Sequence, residues 1–90
     1  MEDSLGLYYL PRPGIPQVRM YVRRGEGGAV EFRMWDSGHP EVWDKHEWLP
    51  LSVVEKAAGM YRSAPGHEGQ DPMAIYDSVV AESLLREKGL

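Results

Sequence analysis

Hydrophobic and polar residues alternate strictly over two stretches in the first half of the chain. In QVRMYVRR, Val18, Met20 and Val22 fall on one side and Arg19, Tyr21 and Arg23 on the other, the period of a strand with one buried face. AVEFRMWD repeats the pattern, with Val30, Phe32 and Met34 set against Glu31, Arg33 and Trp35. The intervening GEGG is a flexible turn, so the two stretches are expected to form a hairpin. Upstream, SLGLYYLP is rich in Leu and Tyr and runs into PRPGIP, where Pro13 and Gly14 suit a turn. A short first strand is predicted from about Leu5 to Leu10.

After Gly38 the period changes. Ser37 or His39 can cap a short helical turn over Pro40 to His46, because proline at a helix start lacks only an N–H that would be unpaired there. In LPLSVVEKAAGMYRSAPG, Ser52 and Glu55 fit a capping box, and Val54, Ala57, Ala58 and Tyr61 follow at helical spacing until SAPG stops the run. The last segment has Asp71 as N-cap, Pro72 in the first helical position, and Met73, Tyr76, Val80 and Leu84 along one stripe. Arg86 and Lys88 sit where a helix C-terminus favours cations, and Gly89 lies beyond it. Strands come first and helices last, which argues for an α+β fold. The expectation is a three-stranded antiparallel sheet with a short helical turn and two C-terminal helices packed on one face. The predicted core sets Val18, Met20, Val22, Val30, Phe32 and Met34 against Val54, Ala57, Tyr61, Tyr76, Val80 and Leu84.

Length and composition narrow this picture without changing it. Ninety residues suit one domain, 1–90, with little room for a deep enclosed site. The absence of cysteine excludes disulfides, thiolate nucleophiles and Cys-based metal sites, and favours a cytoplasmic setting. MEDSLGLYYLPRPG has acids where a signal peptide needs bases, and no apolar run approaches the ~20 residues that span a bilayer, so neither secretion nor membrane contact is expected. The net charge of −4 is unevenly spread. Residues 11–35 hold five arginines against Glu26 and Glu31, and the acids dominate on both sides.

Candidate chemistry centres first on EFRMWDSGHPEVWDKHEWLP, which holds all three tryptophans and two of the three histidines. His39 and His46 are seven residues apart. On a helix that separation is about 10.5 Å along the axis, and on a strand it places them on opposite faces. Neither suits one metal ion with ligand bonds near ~2 Å. RRGEGGAV lacks the Lys-Ser/Thr of a phosphate-binding loop, and the serines lack a nucleophile elbow. No catalytic residue, metal ligand or cofactor is therefore assigned, and the chain reads as a non-enzymatic binding or accessory domain.

Trp43 and Trp48, beside Val42, Leu49 and Leu51, are expected to pack in the bend beneath the helices. Trp35 differs, since alternation turns it away from the core strands' apolar side. Arg19, Tyr21, Arg23, Arg33 and Trp35 thus form an arginine and aromatic face opposite the helices, a composition that interfaces favour. This face is the candidate partner-binding surface, for another protein or for a second copy of the chain. The same residue types on a sheet also suit single-stranded nucleic acid. That reading ranks second, because the sequence pI is near 5.3 and no RNA-binding signature accompanies it. The competing structural reading tucks Trp35 under residues 37–50 and leaves the arginines solvated or paired with Glu31.

Overall fold

A computed structural model describes residues 1–12, 14–63 and 75–90, with 61–63 described by their backbone alone. The chain is α+β, with an antiparallel meander of five strands rather than three, in the order β1-β2-β3-β4-β5. The strands are β1 (Glu2–Asp3), β2 (Gly6–Tyr9), β3 (Val18–Arg24), β4 (Val30–Asp36) and β5 (Leu49–Pro50). The helices are α1 (Glu41–Lys45), α2 (Leu51–Ser63) and α3 (Ser78–Glu87). The expected β3–β4 hairpin is present, closed by Gly25 N donating to Ala29 O, with Gly27 and Gly28 at φ 70° and 82°. Such positive φ values are what glycine supplies without a Cβ penalty. The two additional strands are two-residue edges, too short for any period to reveal: Asp3 pairs with Gly6, and Leu49 with Phe32.

One side of the sheet carries the core. The register Met20↔Met34, Val22↔Phe32, Leu7↔Val22 and Tyr9↔Met20 aligns apolar side chains across three strands, and α2 and α3 cover them. Met20 and Phe32 are fully buried, Val54 and Ala58 close the α2 side, and Ala81 and Leu85 close the α3 side. The α3 stripe is therefore rotated from the expected one. Asp77 caps the helix, accepting from Val79 N and Val80 N, so the helical phase starts at Ser78 and turns Ala81 and Leu85 inward. Val80 is exposed and Leu84 is only partly buried. Tyr76 lies before the helix, yet its ring meets Phe32 edge-on at 5.6 Å. Asp71, Pro72 and Met73, and the Tyr61 side chain, lie outside the described residues. In α2, Ala57 is half-buried while Ala58 is buried, and the helix begins at Leu51, which places Ser52 inside the first turn rather than at the cap. The short α1 falls within the expected Pro40 to His46, with Pro40 itself at the N-cap position and no side-chain cap.

A tyrosine ties the helical layer to the sheet. The Tyr9 hydroxyl donates to Ile75 O at 2.5 Å and accepts from Asp77 N at 2.8 Å. Burial, the largest effect, pushes its pKa up to about 12. At the far end Arg24 grips Glu82 of α3 through two hydrogen bonds, of 2.6 and 2.7 Å.

Candidate functional site

The register that builds the core also assembles the opposite face. Arg19 pairs with Trp35, Tyr21 with Arg33 and Arg23 with Glu31, so all five candidate residues project from one side, as alternation requires. Tyr8 joins them from β2, opposite Tyr21. Asp3 of β1, opposite Gly6 of β2, reaches the same side.

The middle of this face is packed. Tyr21 is fully buried, between Tyr8 at 5.3 Å and Trp43 at 5.4 Å. Trp43 in turn meets Trp48 at 6.2 Å. The two tryptophans of the bend thus pack on the face opposite the helices, not beneath them. The reason lies in Arg33, whose guanidinium stacks on the Trp43 ring at 4.0 Å. Its Nε and Nη2 donate to Trp43 O, and Nε also donates to His46 O. An arginine on the strand thereby satisfies carbonyls that the end of a short helix leaves unpaired, and α1 is fixed over β4.

The two ends of the face are more open. At one end the Arg19 guanidinium lies over both Tyr8, at 4.8 Å, and Trp35, at 5.2 Å. Arg19 Nη1 donates to Asp3 Oδ2 at 2.8 Å, and the Tyr21 hydroxyl donates to the same oxygen at 2.5 Å. The Tyr21 bond is the main reason the Asp3 carboxyl is held below the usual carboxylate range. Burial first, and then the Asp3 bond, push the Tyr21 hydroxyl up. At the other end Arg23 stacks over Trp48 at 4.4 Å and donates through Nε to Glu31 at 2.6 Å. There Arg23, Arg33, Asp44, Glu47 and Trp48 line an open cleft of about 440 Å³.

The structure thus brings the five candidate residues to one face but divides them. Tyr21 and Arg33 are consumed by packing and helix fixation, while Arg19, Arg23 and Trp35 retain surface, with the Arg23 side chain half exposed. The sequence reading missed Asp3 and Tyr8, and it expected Trp43 and Trp48 to pack in the bend but on the wrong side of the sheet. Tyr8 carried a signal, because the alternation in LYYL places it opposite Tyr9. Asp3 carried none.

His39 lies 3.4 Å from Glu41, and among the described residues no group of three or more His, Cys, Asp or Glu side chains is placed to hold a metal ion. Among them, too, no helix is long and apolar enough to cross a membrane. No known protein family, curated protein or solved structure gives a match to this chain.

Proposed function

We propose that the chain is a non-enzymatic binding domain that recognises a protein partner, or a second copy of itself, through the open end of this face, with Trp35 as the anchor and Arg19 beside it. The observation that carries the reading is the half-buried Trp35 with Arg19 stacked on it, next to Tyr8. Large rings and guanidinium groups held in one orientation lose little freedom on binding and dominate interface energies.

The charge pattern favours protein over single-stranded nucleic acid. Phosphate binding needs cations free to release counterions, whereas Arg19 is paired with Asp3 and Arg23 with Glu31 in a chain of net charge −4. The shifted ionisable groups of the face, Asp3, Arg19 and Tyr21, are held by one another, which supports a recognition role over acid-base chemistry.

The test is Trp35→Ala, followed by circular dichroism, light scattering and affinity retention. The variant stays folded and loses dimer mass or partner retention, with a cost of about 2 kcal/mol or more, roughly thirtyfold in Kd. Unchanged association in the folded variant refutes the reading. Binding to single-stranded oligonucleotides that collapses with salt and needs Trp35 replaces it with the nucleic-acid one.

A further inference from the structure

Asp3 and its two partners on β3 are unequally held. The receiving side is rigid: the Tyr21 ring is fully buried between Tyr8 and Trp43, which fixes its hydroxyl, and the Arg19 guanidinium is oriented by the rings of Tyr8 and Trp35. The occupying side is slight. Strand β1 has two residues, whose ladder partners are Leu7 and Gly6, and Met1 O adds one bond to Tyr8 N. Asp3 Oδ1 is spent locally on Leu5 N at 2.8 Å, and Glu2 makes an exposed ion pair with Lys88. Neither Glu2 nor Asp3 belongs to the hydrophobic core cluster.

We propose that Arg19 and Tyr21 form a carboxylate receptor that Asp3 fills in cis, and that the protein partner docks there by placing an Asp or Glu of an extended segment where β1 lies on the edge of β2. The inference rests on the reading of this face as a protein-binding surface and names the chemistry of the partner. The occupant already present defines that chemistry: one carboxylate oxygen accepting from a guanidinium and a phenol, charge-assisted bonds of the strong kind. The backbone along β2 then selects a peptide, since strand addition pairs main-chain groups and alternation sends every second side chain to the same face. A partner acid at the Asp3 position therefore arrives beside Trp35.

The experiment uses the full chain with Asp3→Ala and, as the isosteric version, Asp3→Asn. The probe is a blocked peptide with the chain's own sequence Met1–Leu5, compared with the same peptide carrying Asp3→Asn. NMR follows the Arg19 Nε–H and Trp35 Nε1–H signals. Both protein variants show saturable shifts with the Asp peptide, at an apparent affinity about tenfold or more above that of the wild-type chain, whose site is filled roughly nine-tenths of the time or more. The Asn peptide produces none. Equal binding by wild type and variants, equal binding of the two peptides, or no shift at either signal overturns the proposal. Loss of the folded spectrum in both variants also overturns it, because Asp3 would then be indispensable rather than displaceable. The Trp35→Ala association test does not depend on Asp3. A receptor that takes the Asp peptide in a chain whose association ignores Trp35 thus separates failure of the docking face from failure of the receptor.

Discussion

Replacing Tyr9 with Phe removes one oxygen atom and leaves two backbone groups unpaired, the Ile75 carbonyl and the Asp77 N–H, both at the entry to α3. A buried backbone group left without its partner costs about 1–3 kcal/mol. Ile75 is only half-buried and Asp77 is exposed, so water recovers part of this, and a total of about 1–3 kcal/mol for the pair is expected. In a domain of this size that lowers Tm by roughly 5–20 °C. The hydroxyl also has a signature in pH. Burial, the main cause, pushes its pKa up from the ordinary 10.0 to about 12 in the folded chain. The folded state therefore favours the protonated phenol, and the stabilisation is fully present below pH 10 and lost as pH rises through 12. That difference corresponds to a free energy on the order of 2–3 kcal/mol. Tyr21 and Tyr76 shift in the same direction, so Tyr9→Phe reduces the alkaline slope without abolishing it. Urea melts between pH 7 and 12, with wild type and Tyr9→Phe side by side, read both effects. A variant with an unchanged urea midpoint at pH 7 and an unchanged alkaline slope refutes the assignment of Tyr9 as the pin between sheet and helix.

Phe32 is fully buried against Tyr76, and Phe32→Ala should cost about 3–5 kcal/mol in a denaturant titration. Asp77→Ala removes the cap of α3 and should cost about 0.5–2 kcal/mol, with faster amide exchange at Val79 and Val80 as its local mark. Asp3 and Glu82 both have lowered pKa values, through Tyr21 and Arg24 respectively. Their stabilisation is present above the ordinary carboxylate range and lost as pH falls through the folded values, so Tm should drop on acidification below about pH 4, and Glu82→Gln should flatten that drop. Zinc added to the chain should leave the His39 and His46 ring signals unmoved, and tight stoichiometric shifts at both would restore a metal site.

The hairpin was legible because period two is sustained over seven residues in each of β3 and β4, long enough for core and outer sets to be separated by parity alone. The same logic was blind to β1 and β5, since two residues have no period. It also misjudged the phase of α3, where Tyr76 fits the stripe by spacing but precedes the helix, while Asp77, an ordinary polar residue in the sequence, takes the capping position. The outer face was assigned correctly by parity, but its exposure was not. What seals Tyr21 is Trp43, which arrives from a helix twenty-odd residues on because Arg33 binds the carbonyls at that helix's end. No local pattern encodes that arrangement.

Those contacts alter what an arginine and aromatic face means. A sheet face whose centre is closed by Trp43 acts as a second, thinner core, and its guanidinium groups serve first as fillers between rings: Arg19 between Tyr8 and Trp35, Arg33 on Trp43, Arg23 on Trp48. Stacked arginine keeps its polar edge available while its flat face packs, so such a layer can be stable and adhesive at once, but only where an edge reaches the surface. Arg33 has turned two of its nitrogens inward to carbonyls. Arg19 has turned its own toward Asp3, a group carried on a two-residue strand. Unlike Arg33, whose nitrogens are committed to backbone carbonyls, Arg19 spends its polar edge on a single side-chain carboxylate, so a competing carboxylate would meet the same donors there.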